Sequence, residues 1–416
     1  MKKFHVYVVH FTALVLFVIY CGAAGYTGII TYKPVVRRIS HYHFWESWIN
    51  PRGLDEQLGN YVLYALPLRD TLIRNIHAYL TLIQNKKESR NFTLIKDDFG
   101  YFHRGNLYQI VDLDSLYYAR RLRSVNNDHL GRNRNSERYF LALGGADRLN
   151  TSPLPIYPGY PVNYTGGIEL DSILIKLSEY DVETMDLRHF FKNSRLQYED
   201  VFYRTERGWT AIAAFEAASG IVNKINEKRR PELDISNFFR NSENYQRYQY
   251  HDAFQGAFSR SAGLPFGGAE DFIVLLPSFE TSFSIFGSLH STNPLKEGTF
   301  SEILINFDYI NSNSRNMNPE LIYSYRNNED YHFRRIVNNL NPTGPKMVFV
   351  GGNDFLTTVY YLSLRTSETI FLSVNHPNFQ DLLDLFVDDD EGYDIFIFGM
   401  EVDSINDDLF PFHTGY

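Results

Sequence analysis

The chain has 416 residues, of which 44% are hydrophobic and 21% charged, and its formal net charge is −9 at pH 7. This length allows one large or two medium domains with a substantial core, and the composition is that of a globular protein. The negative charge argues against nucleic acid as a partner, since phosphate binding requires a basic face. The only cysteine is Cys21, which excludes an internal disulfide and leaves no thiol beyond that position for catalysis or metal binding.

The amino terminus has the pattern of an exported or anchored protein. Lys2 and Lys3 precede an apolar run over residues 4–24, which is typical of an export signal or a single membrane anchor. Small residues at 22–24 suit cleavage, whereas the length of the run suits a retained bilayer-spanning helix, which we favour. With either fate, we expect the rest of the chain to lie outside the cytoplasm, in the cell envelope or secreted.

The next segments are predicted to form an extension over residues 26–105 that packs on a main domain over 106–416, after a signal or anchor at 1–25. A helix is predicted in the extension from apolar residues at helical spacing, namely Leu68, Leu72, Ile76, Leu80 and Ile83. Residues 92–103 predict two short strands around a turn.

Apolar runs alternate with helical patterns through the main domain, and this alternation predicts an α/β sheet covered on both faces. Thr210 is a good N-cap residue for a helix over 211–227. Residues 227–260 are polar and rich in tyrosine, which predicts an exposed insertion. Strands are predicted at 139–143, 182–187, 272–276, 303–310, 347–350, 369–374 and 393–398, and helices at 113–125, 355–364 and 379–386.

The segment from Lys346 to Leu362 is the most informative of these. It combines an apolar strand, the glycine pair Gly351 and Gly352, and a predicted helix. A strand, a glycine turn and a helix place a catalytic nucleophile at the carboxyl end of a sheet. The residues at the tip are Asn353 and Asp354, and no Ser or Cys occurs in the segment. The sequence therefore predicts the scaffold of an active site without its nucleophile.

A second informative segment is Phe202–Thr210, which reads Phe-Tyr-Arg-Thr-Glu-Arg-Gly-Trp-Thr and leads directly into the predicted helix after Thr210. It resembles the Tyr-x-Arg-Thr-Asp-His-His-Trp-Thr signature of the DHHW family, relatives of the alginate O-acetyltransferases AlgX and AlgJ. Other segments resemble that family in the same order, namely Leu66–Asp70, Asp98–Phe102, Phe254–Gly256 through Asp271, Lys346–Phe355 and the late strand from Tyr393. The resemblance implies an SGNH-hydrolase-like three-layer sandwich with a mainly parallel sheet, in a permuted order that puts Asp and His before Ser.

The resemblance also assigns residues to the family's active site. The Asp of its Asp-x-His falls on Glu206 and the His on Gly208, while the other His of the signature falls on Arg207. The tryptophan is kept as Trp209. The orienting acid is at best replaced by Glu206, and the base is missing.

The family's Asp-Ser pair near the carboxyl end falls on Asn353 and Asp354, so the nucleophile is missing too. Acyl transfer at such a site needs a hydroxyl nucleophile, a base that takes its proton, and an acid that orients the base. The sequence therefore predicts that efficient triad catalysis is lost. A carboxylate pair of Glu206 and Asp354, acting as acid and base on a sugar, is an alternative chemistry.

The resulting hypothesis is a non-catalytic, membrane-anchored, extracytoplasmic protein of the AlgX/AlgJ-like type that uses no cofactor or metal. It would bind a cell-surface polysaccharide or a partner of polysaccharide acetylation and export. The candidate ligand-binding residues are Arg204, Glu206, Arg207, Trp209, Gly256, Asn353 and Asp354.

Two other functions stay open on the sequence. One is an O-acetyltransferase or acetyl esterase whose catalytic residues have moved. Its residues would be sought beside the Phe254–Gly256 segment, at Ser259, Ser261, His251 and Asp252. The other is a structural envelope protein that binds no ligand.

Overall fold

The computed structural model describes residues 94–96, 102–104, 115–131, 138–146, 166–228, 233–234, 236–262, 267–314, 321–322, 332–388 and 392–401. The predicted signal or anchor and the predicted helix around residues 68–83 lie outside these ranges. Within them, no helix combines the length and the apolar character that crossing a bilayer requires.

The described strands, in chain order, are β1 (Leu94–Lys96), β2 (Phe102–Arg104), β3 (Tyr139–Gly144), β4 (Thr184–Asp186), β5 (Tyr245–Phe254), β6 (Glu270–Pro277), β7 (Phe283–Phe286), β8 (Lys296–Gly298), β9 (Phe333–Asn338), β10 (Lys346–Gly351), β11 (Glu368–Ser373) and β12 (Ile395–Met400). The described α-helices are α1 (Ser115–Leu130), α2 (Gly166–Glu179), α3 (Leu187–Asn193), α4 (Tyr198–Val201), α5 (Ala211–Asn226), α6 (Ala257–Ala262), α7 (Phe307–Asn313), α8 (Leu356–Ser363) and α9 (Phe379–Asp388). Short 3₁₀ turns lie at Ser242–Asn244 and Asn353–Phe355, and a π-helical turn lies at Phe300–Leu304.

An eight-stranded sheet in the order β4-β3-β12-β10-β11-β9-β7-β8 is the centre of the fold. Its first five strands run parallel to one another, and β9, β7 and β8 are antiparallel to their neighbours. The predicted α/β fold with a large, mostly parallel sheet is thus confirmed. The three antiparallel strands were not predicted, because β7 and β8 are short and β9 carries the charged pair Arg334 and Arg335.

Helices cover both faces of the sheet, as the alternation of elements predicted. Successive strand residues point to opposite faces, and along β10 Val348 and Val350 pack in one core while Met347 and Phe349 pack in the other. The first core is completed by side chains of α1, α2 and α9, and the second by side chains of α5 and α8.

Two other segments have the predicted structure. Strands β1 and β2 pair antiparallel, which confirms the hairpin predicted within residues 92–103. Helix α5 begins after Thr210, whose hydroxyl accepts a hydrogen bond from the Ala213 N–H at 3.2 Å. This N-cap satisfies a backbone donor that the first helical turn leaves unpaired.

The predicted insertion at 227–260 contains regular secondary structure. Residues 227–260, predicted to be an exposed insertion, include α6 and the ten-residue strand β5, which pairs antiparallel with β6 in a separate sheet. Tyrosine favours strands, and the buried ends of β5 at Tyr245 and Phe254 attach the ribbon to the core.

The strand predicted at 303–310 is wrong, because the chain there forms the end of the π-helical turn and the start of α7. Thr299 and Glu302 form a capping box at the start of that turn. Asn306 then caps α7 by accepting a hydrogen bond from the Tyr309 N–H at 3.2 Å. Local side-chain bonds therefore override the apolar pattern of the segment.

The fold brings two strand ends together at one edge of the sheet. Strands β10 and β12 pair in parallel, so their carboxyl ends lie at the same edge. The 3₁₀ turn with Asn353 and Asp354 follows β10, and Glu401 follows β12 directly. Open α/β sheets bind their ligands outside this edge.

Candidate functional site

The Phe202–Thr210 segment folds back on itself as a tight loop. Phe202 and Trp209 form an isolated antiparallel bridge, and the Tyr203 N–H donates to the Gly208 carbonyl at 3.4 Å. These bonds close the loop at its base, which comprises residues 202–205 and 209–210, and leave residues 206–208 at its tip. The tip therefore carries three of the four positions at which the sequence departs from the family signature, and the fourth is Phe202 at the base, where the signature has a tyrosine.

Trp209 anchors the loop against the turn that follows β10. Its ring makes edge-to-face contacts with Phe191 and Phe355, with centroid distances of 5.6 and 5.4 Å. Its indole Nε1–H donates to the carbonyl of Ala146 at 2.9 Å. The side chain is buried and its only polar atom has a partner, so this placement gives Trp209 a structural role.

The base and nucleophile positions face each other across the site. A Cβ atom built on Gly208 lies 3.9 Å from Asp354 Oδ1 and 3.5 Å from Ile322 Cδ1. Both are ordinary van der Waals distances, so the first side-chain atom of a longer residue has room there. The structure thus brings together the two positions that the resemblance assigned to a histidine and a serine.

Arg207 spans the space between the loop and the sheet edge. Its Nε lies 3.3 Å from Asp354 Oδ2, and its Nη2 lies 3.0 Å from Glu401 Oε2. The side chains of Asp354 and Glu401 are only 19% and 11% exposed, against 36% for Arg207. A guanidinium stays protonated in proteins and has no acceptor atom, so Arg207 cannot take the proton of a nucleophile.

Glu401 is a site residue that sequence analysis missed. Besides the contact with Arg207, its Oε1 accepts a hydrogen bond from the backbone N–H of Asp354 at 3.1 Å. A Cβ built on Gly352 would lie 1.9 Å from the same oxygen, so the carboxylate fits only against a glycine. Its signal in the sequence was its position three residues after the strand predicted at 393–398, which in the structure lies beside β10.

Glu206 points away from the other triad positions. Its Oε1 accepts a hydrogen bond from the Arg207 N–H at 2.9 Å, and its Oε2 accepts one from the Ala257 N–H at 2.7 Å. Ala257 is the first residue of α6, where backbone donors are unpaired and a negative charge is favourable. The carboxylate therefore stabilises a helix start and the loop itself.

A buried carboxylate, Glu270, holds the base of the loop. It accepts hydrogen bonds from the Arg204 N–H at 2.6 Å, from the Thr205 N–H at 2.7 Å and from the Thr205 hydroxyl. Burial raises the pKa of Glu270 above its ordinary value, although these bonds act in the opposite direction. The neighbouring Asp271, at the end of the segment that resembles the family from Phe254 on, accepts its bonds from residues of β5.

Gly256 completes this structural cluster. Its N–H donates to the Thr205 hydroxyl oxygen at 2.9 Å, and a Cβ there would lie 2.3 Å from the Thr205 carbonyl oxygen. Only glycine allows this approach. Its donor is already used, so this placement also favours a structural role over ligand contact.

The remaining ligand-binding candidates stay at the sheet edge or the surface. Arg207, Asn353 and Asp354 lie together at the end of β10, and Arg204 is exposed, with its Nε 3.9 Å from Glu270 Oε2. The side-chain oxygen of Asn353 is buried and makes no hydrogen bond within the part of the chain that the structure describes.

Among the residues proposed for relocated catalysis, the described side chains of Ser259 and His251 have separate partners. Ser259 is buried, and its hydroxyl donates to the Gly268 carbonyl at 2.6 Å. His251 is exposed, and its Nδ1 lies 3.0 Å from Asp271 Oδ2. The structure records no hydrogen bond between Ser259 and His251, and the side chain of Ser261 lies outside its description. Among the described residues, no group of three or more His, Cys, Asp or Glu side chains is arranged to hold a metal ion.

Comparison with solved structures agrees with this fold. A DHHW family protein from Eubacterium siraeum aligns with a TM-score of 0.52 and 14% identity over 75% of this chain and 90% of its own. Bacillus cereus PatB1 aligns with a TM-score of 0.53 and 15% identity over 76% and 98% of the two chains. PatB1 with a sulfonyl adduct aligns equally well, with a TM-score of 0.53.

The O-acetyltransferase domain of Pseudomonas putida AlgJ also aligns, with a TM-score of 0.40 and 10% identity over 76% of this chain and 93% of its own, which is too distant to bear on the fold. No family model and no curated protein matches the sequence itself. The resemblance to the DHHW family is confirmed as a resemblance of fold.

Proposed function

We propose that this chain is a non-catalytic protein with the fold of the DHHW family, built on an SGNH-hydrolase-like scaffold. It binds a cell-surface polysaccharide, or a partner of the machinery that acetylates or exports one, outside the cytoplasm. The observation that carries the proposal is the ion pair of Arg207 and Asp354, which stands where the family has a histidine and a serine.

Transition-state chemistry supports this proposal. Loss of one triad member lowers turnover by about 10⁴ to 10⁶ in other enzymes, and the losses are not additive. Gly208 has no proton acceptor, and attack by Asp354 would give a mixed anhydride in place of an ester. The carboxylate of Glu206 already accepts two backbone N–H bonds, so it does not orient a base.

The carboxylate-pair alternative has little support from the contacts. A pair that acts on a sugar needs one carboxyl group that keeps a proton to donate and another that stays ionised. Glu206 is directed at the start of α6, whereas Asp354 faces Arg207. The two carboxylates have different partners and share none of their described hydrogen bonds.

Ester turnover by the purified protein tests the proposal. We expect no hydrolysis of 4-nitrophenyl acetate or of an acetylated polysaccharide above the rate in buffer, and no difference for the Asp354→Ala variant. Hydrolysis that depends on the protein and disappears in Asp354→Ala overturns the proposal. Binding is measured separately by calorimetry with purified surface polysaccharides, where we expect Arg207→Ala to weaken binding and Lys192→Ala, an exposed position on α3, to leave it unchanged.

A structural envelope protein without a ligand is a second candidate, favoured by the packing of Trp209. The ring is buried between Phe191 and Phe355, where a cleft lined by that tryptophan would expose it. This candidate predicts that no polysaccharide and no envelope protein binds the purified chain, although its deletion alters the envelope.

Location in the envelope is supported by the basic and apolar amino terminus. Cell fractionation checks it: the full chain should sediment with membranes, and a chain without residues 1–25 should not. Recovery of the full chain in the soluble cytoplasmic fraction contradicts the proposed location.

A further inference from the structure

Both oxygens of the Glu401 carboxylate accept hydrogen bonds, as the oxygens of a bound anion do. One oxygen, Oε1, accepts the backbone N–H of Asp354 at 3.1 Å. The other, Oε2, accepts from Nη2 of Arg207 at 3.0 Å. A backbone donor at the end of a parallel strand and an arginine together satisfy both oxygens of one carboxylate.

The space around this carboxylate is matched to it. A Cβ on Gly352 would lie 1.9 Å from Oε1 and 2.3 Å from Oε2, so the glycine leaves the volume that the carboxylate fills. The side chain of Glu401 is only 11% exposed. The donors therefore converge on a small, partly enclosed position.

This position lies beside the turn at which an acyl-transfer enzyme would stabilise a negatively charged oxygen. Backbone N–H groups at the turn after the strand stabilise the oxyanion in acyl-transfer enzymes. Asp354 stands at the position that the resemblance assigns to the nucleophile, and its N–H belongs to the turn that follows β10. In this chain the donor is already used by a carboxylate of the same protein.

We propose that Glu401 is an internal ligand, which occupies a carboxylate-binding site formed by the Asp354 N–H and the Arg207 guanidinium. The site accepts the carboxylate of an external ligand only when Glu401 leaves it. This inference rests on the proposed function, since it assigns a ligand class to the same non-catalytic site. It makes Glu401 an autoinhibitory contact at the end of β12.

Chemical rescue tests the inference with acetate as the probe. Glu401→Ala removes the carboxylate and leaves both donors and an empty volume. We expect acetate at pH 7, at roughly ten times its dissociation constant, to raise the melting temperature of Glu401→Ala by about 1–2 °C over sodium chloride of equal ionic strength. The unaltered protein should show no such difference, because Glu401 fills the site.

Two matched variants separate this effect from general effects of acetate. Glu401→Gln keeps the volume filled, so acetate should give it no specific shift. Glu368→Ala removes a carboxylate that lies 3.0 Å from Nη2 of Arg335 and is 12% exposed, but that accepts no backbone N–H within the described structure. An equal acetate shift in Glu368→Ala or in Glu401→Gln overturns the proposal.

The result stays interpretable if Glu401→Ala is unfolded in buffer. The measurement is then the refolded fraction in acetate against chloride, and no gain in acetate also overturns the proposal. Failure of rescue leaves the proposed function standing, because that function concerns turnover and binding by the unaltered protein. Ester hydrolysis by the unaltered protein, in contrast, contradicts the proposed function and leaves the rescue result as it is.

Discussion

The base and the tip of the Phe202–Thr210 loop differ in what their side chains do. At the base, Thr205 and Trp209 match the family signature and make buried contacts. Glu270 accepts hydrogen bonds from the backbone N–H groups of Arg204 and Thr205. At the tip, Arg207 and Gly208 fall on the two histidines of the signature that the sequence resembles. Positions that support the fold and positions that support a reaction are therefore separable within nine residues.

The largest effect is expected at the base of the loop. Trp209→Ala removes the contacts with Phe191 and Phe355 and the hydrogen bond to Ala146. We expect the free energy of unfolding to fall by about 3–5 kcal/mol, the usual range for truncation of a buried large aromatic residue. Urea denaturation followed by circular dichroism measures it.

The matched change at the tip should be much milder. The Arg207 side chain is 36% exposed, and ion pairs screened by solvent contribute little, so Arg207→Ala should change the free energy of unfolding by about 1 kcal/mol or less. Equal losses for Trp209→Ala and Arg207→Ala would remove the distinction between base and tip.

The next effect concerns the pH dependence of the free energy of unfolding, which Glu270 at the base of the loop influences. Burial raises the pKa of Glu270 in the folded state above its ordinary value of 4.5. The folded state therefore holds this proton more tightly than the unfolded state. Its contribution to stability is complete below the ordinary pKa and is lost as the pH rises through the raised pKa.

The variant Glu270→Gln isolates this contribution, because it cannot titrate. We expect the stability of the unaltered protein, relative to Glu270→Gln, to decrease as the pH rises above 4.5. The slope is at most about 1.4 kcal/mol per pH unit for one group. Urea titrations of both proteins at several pH values measure the difference between their free energies of unfolding. The contributions of the other titrating groups cancel in this difference. Parallel stability curves, or a difference that increases with pH, contradict the expectation.

Sequence reasoning succeeded where a local pattern decides the structure. The long apolar runs of β10, β11 and β12 predicted buried parallel strands, and the predicted nucleophile turn lies at the carboxyl edge of the sheet. β9 escaped prediction because Arg334 and Arg335 interrupt its apolar pattern, although Arg334 is buried and bonds to the Tyr360 hydroxyl at 2.5 Å.

The site was predictable as a set of positions but not as a set of contacts. The resemblance placed Gly208 opposite Asp354, and the geometry agrees. It did not indicate that Glu206 turns toward Ala257, because the direction of a loop side chain depends on the backbone of a distant segment. Nor did it indicate Glu401, which enters the site only because two strand ends meet.

The smallest effect is expected from restoring a histidine and a serine at the two facing positions. Gly208→His with Asp354→Ser restores a base and a hydroxyl at facing positions, and Gly208 has room for a Cβ at ordinary contact distances. We nevertheless expect hydrolysis of 4-nitrophenyl acetate only slightly above the rate in buffer. Glu206 is occupied at the start of α6, so the new histidine lacks its orienting acid. Glu401 also stays on the backbone N–H of residue 354.

Adding Glu401→Ala to that pair sharpens the result, because it vacates the N–H that an oxyanion would use. Initial rates measured at 400 nm, with Gly208→His alone as the control, compare the variants. Removal of one oxyanion donor lowers turnover by about 10²–10³ in other acyl-transfer enzymes. We therefore expect the triple variant to exceed the double variant. Efficient turnover by the double variant would show that the site still supports acyl transfer. It would remove the contrast between the base of the loop, which keeps its structural contacts, and the tip, which carries substituted residues.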